Sequence, residues 1–215
     1  MKALRDPDCL LADGLGAIRT QFQVPSAFPP GVLAAAELAA ARTPDSHVDR
    51  TSLPFVTLDP ATSTDLDQAF ANEAAGKGGD LLLHYAIADV AHFVEDGDAL
   101  DAEGWARGET FYLPDGKASL YPAILSEKAA SLLPSGPRPA IIFTVRIAHD
   151  GAVKLEGVER ALIRSRAKLA YDAVRAEDLP AHFIDLANRI TAAEARRGAA
   201  RVDPPEQEVE RNILG

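Results

Sequence analysis

The chain has 215 residues, 47% of them hydrophobic and 25% charged, with a net charge of −10. This is enough for one sizeable core and a small appendage, and the acidic balance excludes a surface that grips nucleic acid indiscriminately while leaving room for a local basic channel. A single cysteine (Cys9) excludes an internal disulfide, and no apolar leader or membrane-length apolar run follows Lys2 and Arg5, so a reducing cytoplasmic setting without a membrane partner is expected.

Residues 1 to 30 carry little periodic pattern and are punctuated by Asp6-Pro7, Pro25 and Phe28-Pro29-Pro30. They read as loop, with one short strand or turn between Leu10 and Phe22. Gly31 to Arg42 consists almost wholly of strong helix formers after a Pro-Pro entry, which predicts a surface helix packed through its leucines, with a docking or linker element as the alternative. Residues 1–50 are therefore read as an extension carrying one Ala-rich helix, and 51–215 as the main domain.

Strands are predicted over 55–58, 69–74 and 81–88, the last two joined by a Gly-rich hairpin through Gly76-Lys77-Gly78-Gly79. Asp98 is placed to cap a helix running to Arg107 and stopped by Gly108, with acids in its first turn where the helix dipole favours them. Thr110 to Leu113 reads as a short strand turned at Asp115-Gly116, and Ser126 as the cap of a short helix over 127–132. Residues 139–148 and 153–163 form a hairpin across His149-Asp150-Gly151. The spacing of Phe183, Leu186 and Ile190 predicts a helix over 181–199 with Asp178 near its cap. This order of elements is that of a mixed α/β domain.

The chemistry concentrates in Phe55-Val56-Thr57-Leu58-Asp59-Pro60-Ala61-Thr62-Ser63-Thr64-Asp65-Leu66-Asp67-Gln68-Ala69-Phe70. Pro60 lacks an N–H and biases Asp59 to extended geometry, so the strand stops there. In an extended segment Asp65 and Asp67 share one face while Leu66 points into the protein. Three carboxylates at a strand end repel one another, and such a cluster persists most easily around a cation; all-oxygen donors favour Mg²⁺ or Mn²⁺ over Zn²⁺. The spacing alone reads equally as a solvated acidic turn. A helix-loop-helix calcium loop is excluded, because counting from Asp59 the sixth residue is Thr64 and the twelfth Phe70. A phosphatase of the Asp-Leu-Asp type is disfavoured by Ala61 to Thr64 preceding Asp65 where an apolar strand is required.

This block resembles the signature of the ribonuclease II (RNB) family of exoribonucleases, in which a Thr-hydrophobic-Asp step and a short loop lead to Asp-hydrophobic-Asp-Asp-Ala. Collinear similarity continues through His84-Tyr85-Ala86-Ile87-Ala88-Asp89-Val90, Phe111-Tyr112-Leu113-Pro114, Tyr121-Pro122 with Leu125-Ser126 and Ser131-Leu132, Arg138-Pro139-Ala140, and Arg164 to Tyr171. The resemblance implies an RNB-type mixed sheet or barrel flanked by helices. It also implies a Mg²⁺-dependent (Mn²⁺ as substitute) 3′→5′ exoribonuclease that hydrolyses single-stranded RNA to nucleoside 5′-monophosphates. Carried over by position, Asp59, Asp65, Asp67 and Gln68 form the metal site, with Asp67 the catalytic acid. Tyr112 stacks on the 3′-terminal nucleotide, and Arg166 is assigned to the substrate. Arg164, Arg166 and Lys168 read equally as phosphate contacts or as an exposed cationic rim. Asp89 and His92 read as a hydrogen-bonded strand end and a partly buried imidazole.

Two departures weigh on that expectation. Gln68 stands where the family has a fourth aspartate; its amide oxygen coordinates but adds no charge. The resemblance also covers only the first half of the catalytic domain, so the domain is expected to be incomplete at its C-terminus. The alternative is a truncated, non-catalytic RNB segment that binds RNA or a partner, and a small-molecule metal phosphohydrolase is the third.

Overall fold

A computed structural model describes residues 8–76 and 79–199. The chain runs α1 (Leu10–Gln21), α2 (Pro30–Ala40), β1 (Val48–Asp49), β2 (Val56–Asp59), β3 (Gln68–Ala75), β4 (Asp80–Ala88), α3 (Ala99–Arg107), β5 (Phe111–Leu113), β6 (Gly116–Ala118), β7 (Arg138–Ile147), β8 (Val153–Ile163), β9 (Ala167–Ala170) and α4 (Phe183–Arg197). Seven strands form a mixed sheet in the order β1-β8-β7-β4-β3-β2-β9, and β5 and β6 pair separately. The sheet does not close into a barrel: β1 and β9 are its two edges.

The centre is antiparallel and built by hairpins, β3 with β4 from Gln68↔Ile87 to Ala75↔Asp80, and β7 with β8 around Gly151. Gly151 is required twice over. Its φ is +79°, and a Cβ there would lie 2.6 Å from the Arg189 carbonyl oxygen and 2.9 Å from the Ala193 Cβ on α4. A bulge between Thr144 and Val145 offsets the two strands, Thr144 facing Gly157 and Val145 facing Leu155.

The two short edge strands were not read from the sequence. β1 runs parallel to β8 through Val48↔Ala161 and Asp49↔Leu162, and β9 parallel to β2 from Val56↔Ala167 to Asp59↔Ala170. Two- and four-residue strands have too few positions to show a period; a partner already in place supplies their bonds.

One face of the sheet buries Ala69, Ala71, Ala86, Ala140, Ile142, Ala161 and Ile163 beneath Phe55, Leu66 and Leu132. The other packs Leu81 and Ile147 against Leu186 of α4. A separate cluster joins Val32, Ala36 and Ala39 of α2 to Phe93, Leu100, Leu125 and Ala130. It is these small residues of α2 that face inward, whereas Leu33 and Leu38 are exposed; the expected packing through leucines is corrected, because Val32, Ala36 and Ala39 share the helix face that meets Phe93 and Leu100.

Three local readings change. Residues 10–21 form a helix instead of loop, strand or turn; Gly14 and Gly16 and the lack of a side-chain cap hide it, and an Arg19–Asp115 ion pair at 2.8 Å ties it to the β5–β6 turn. Ser126 caps nothing: its hydroxyl donates back to the carbonyls of Tyr121 and Pro122, inside a single wide turn over Leu125–Ala129. Helix α4 starts at Phe183 after a left-handed His182, and Asp178 accepts instead from Arg175 in the preceding turn. Asp98, by contrast, caps α3 as predicted, accepting from Asp101 N–H at 2.8 Å.

At the end of β4 the segment before β1 is fastened to the sheet. One carboxylate oxygen of Asp89 receives His47 Nε2 at 3.0 Å and both Nε and Nη2 of Arg160 at 2.7 Å. Asp89 and His47 are buried, while Arg160 is partly open to water. Removing the carboxylate strands a buried imidazole and a half-buried guanidinium. Asp89→Ala is expected to lower unfolding free energy by roughly 2–3 kcal/mol in urea titration.

Candidate active site

Each acidic side chain of the signature block is positioned by backbone contacts. Asp59 ends β2, where its carbonyl accepts from Tyr171 N–H at 3.3 Å. The chain turns at Pro60, with Ser63 N–H donating to the Pro60 carbonyl at 3.0 Å. Lys168 Nζ then holds the turn from outside by donating to the carbonyls of Ala61 (2.7 Å) and Ser63 (2.5 Å).

From Thr64 to Asp67 the backbone is pinned peptide by peptide. The buried Ser131 hydroxyl donates to the Thr64 carbonyl at 2.7 Å and accepts from Leu66 N–H at 3.0 Å. Leu132 N–H donates to the Leu66 carbonyl, and Ala88 N–H to the Asp67 carbonyl, both at 2.8 Å. Leu66 is fully buried in the main core. The Asp65 and Asp67 side chains therefore emerge on the opposite side.

That side is a cleft of about 860 Å³, whose lining includes Asp59, Asp65, Asp67, Val90, Thr110, Tyr112 and Tyr121. Tyr112 is 76% exposed at its rim. Burial, and then the negative charges of Asp67 and Asp65, push the Asp59 carboxyl above its ordinary pKa, with Lys168 opposing. The three acids are thus close enough to repel one another. Their donor chemistry, carboxylate oxygens around an open cleft, fits a hard divalent cation. Among the described residues, however, no three His, Cys, Asp or Glu side chains converge at metal-ligand spacing.

Two predicted residues stand apart from the lining of this cleft. The Gln68 side-chain oxygen accepts a hydrogen bond from the Tyr85 hydroxyl. Burial, then the charge of Asp67, raises the Tyr85 pKa and keeps that hydroxyl a donor. Arg166 is exposed, its N–H donating to the Phe55 carbonyl at 2.7 Å and its guanidinium to the Ser52 carbonyl at 2.9 Å.

Two contributors, Ser131 and Lys117, carry no sequence signal of their own, and a third, Lys168, reads in the sequence only as a phosphate contact or cationic rim, whereas it binds the carbonyls of the acid loop. Ser131 and Lys168 lie within family-like blocks, but nothing in either block marks them as the residues that hold the acid loop. Lys117 lies between Gly116 and Ala118 and reaches Asp65 at 2.8 Å and Glu127 at 3.1 Å. Burial works against its charge, but the two carboxylates outweigh it and raise the lysine pKa.

The RNB domain family profile matches residues 47–177. The chain belongs to the RNB family. It is 36% identical over 151 residues to DIS3-like exonuclease 2 of Arabidopsis thaliana, an alignment covering 68% of this chain and 14% of that protein. A second plant protein, named inactive exonuclease DIS3L2, aligns with the same figures. Exoribonuclease 2 of Erwinia tasmaniensis is 42% identical over 128 residues, 59% of this chain and 20% of that one. Mycoplasma genitalium RNase R, solved in complex with ribose-methylated single-stranded RNA, superposes with a TM-score of 0.69 at 26% identity, covering 90% of this chain and 31% of that chain. The chain thus spans about a seventh to a fifth of the length of these curated RNB relatives.

The raised Asp59 pKa sets the sign of a pH effect. Its folded value exceeds its unfolded one, so the ionised group opposes folding above that folded value, and the penalty fades as pH falls to about 4. In EDTA, Asp59→Asn is expected to melt at a higher temperature than wild type at pH 7, and at the same temperature below about pH 4.

Proposed function

We propose that this chain carries the acidic centre of a Mg²⁺-dependent 3′→5′ exoribonuclease that shortens single-stranded RNA to nucleoside 5′-monophosphates. The observation that carries the reading is the pinned Thr64–Asp67 backbone, which sets Asp59, Asp65 and Asp67 along one cleft with Tyr112 at its rim. Family membership supports the nuclease class, and the RNA-bound RNase R structure supports RNA as the ligand.

A bound divalent cation supplies charge neutralisation at the scissile phosphate and an activated water. The residues that would hold it are Asp59, Asp65 and Asp67, all oxygen donors; Gln68 would join them only if its oxygen left the Tyr85 hydroxyl. Tyr112 presents an aromatic face to the terminal base. Stacking of this kind is worth about 1–3 kcal/mol per base and is indifferent to sequence, as an enzyme that degrades any RNA requires. The remaining walls mix apolar side chains (Val90, Val94, Leu120) with polar ones (Thr110, Ser119, Ser126).

A second reading, an RNB chain that binds RNA without cutting it, is favoured by one specific contact: the Lys117 ammonium already pairs with Asp65. The two readings separate in one incubation of 3′-labelled single-stranded RNA with Mg²⁺. Wild type is expected to release labelled mononucleotide, and Asp67→Asn to lose activity on the order of 10³-fold. Equal behaviour of the two preparations establishes the non-catalytic reading. In either case Tyr112→Ala is expected to weaken single-stranded RNA binding by roughly tenfold in fluorescence anisotropy.

A further inference from the structure

Lys117 reaches a carboxylate of this cleft, Asp65, through a contact that the nuclease reading does not explain. It lies on β6 directly opposite Tyr112 on β5, so the hairpin that carries the aromatic platform also delivers an ammonium into the acids. The Lys117, Asp65 and Glu127 side chains are 27%, 28% and 30% exposed. They are neither sealed from water nor free in it.

The second lysine at the loop is bound differently. Lys168 donates to two neutral carbonyl oxygens of the turn, and drawing it away undoes the turn itself. Lys117 instead grips a carboxylate that lines the cleft. An ammonium is a compact charge on a flexible four-carbon stem, readily withdrawn along its own rotamers. A hard divalent ion takes the same carboxylate oxygens with twice the charge. Two cations contending for one carboxylate each lower the other's affinity, by the same factor.

We infer that Lys117 is a resident counter-cation of the acidic cleft, which a divalent metal ion must displace from Asp65 in order to bind. The inference rests on reading Asp59, Asp65 and Asp67 as metal ligands. It adds that apo stability and metal affinity oppose one another at this site. It also adds that metal entry releases the tether between the Tyr112 hairpin and the acid loop.

The test needs no RNA. Calorimetric titration of the chain with Mn²⁺ compares wild type with Lys117→Met, which keeps the stem and removes the charge. Lys117→Met is expected to bind Mn²⁺ on the order of tenfold more tightly. Reductive methylation of wild type, read by mass spectrometry, supplies an independent measure. Lys117 is expected to be protected without metal and to label at saturating Mn²⁺, whereas Lys154, 74% exposed, labels equally in both. Unchanged Mn²⁺ affinity in Lys117→Met, or unchanged Lys117 labelling at saturation, overturns the inference and leaves the metal site standing. Absence of Mn²⁺ binding in wild type and variant alike overturns both. If Lys117→Met does not fold, the labelling of wild type decides the matter.

Discussion

The whole arrangement depends on the hydroxyl of Ser131. It sits buried against the acid loop, accepting from Leu66 N–H and donating to the Thr64 carbonyl. A loop that must present like charges cannot be held by those charges, which push it open. It has to be held by its backbone and by whatever apolar residue it carries. Here Leu66 supplies the apolar anchor, full burial of such a side chain being worth about 1.5–3 kcal/mol. Ser131, Leu132 and Ala88 supply the hydrogen bonds. Because Ser131 and Leu132 precede β7 while Ala88 ends β4, the loop is braced against two neighbours in the same sheet. Their own positions are secured by the full-length β4–β7 pairing.

Electrostatics then divides the work between two lysines. Lys168 stabilises the turn through carbonyls and lowers the cost of ionising Asp59, which burial and its acidic neighbours raise. Lys117 answers the repulsion at the other end by pairing with Asp65 and Glu127. A chain with net charge −10 thus keeps its few local cations where the acids are densest. Among the described residues three carboxylates line one cleft while no three converge at ligand spacing, and Asp65 is held by its pair with Lys117.

Much of the fold was legible because the central strands are long enough to show their period. The β3–β4 and β7–β8 hairpins carry their turn residues at Gly76, Gly79, Asp150 and Gly151, and α3 carries Asp98 at its start and Gly108 at its end. What stayed hidden was whatever a partner element creates. Helix α1 contains two glycines and buries none of its residues. Strands β1 and β9 are too short for a pattern. In α2 the abundant alanines predicted a helix but not its inward face, which belongs to Val32, Ala36 and Ala39.

For the site, the linear order of residues by itself determined the three acids, their alternation around Leu66 and the stop at Pro60. Those follow from neighbours on the chain and the two-residue repeat of extended backbone. The tertiary structure alone decided that Tyr112, more than forty residues beyond Asp67, faces the same cleft, and that Gln68 is engaged by Tyr85 while Arg166 turns to Ser52. It alone brought Lys117 to Asp65. Contacts between residues so far apart depend on where whole strands and hairpins come to rest, and that is set by the packing of the two sheet faces rather than by any local spacing.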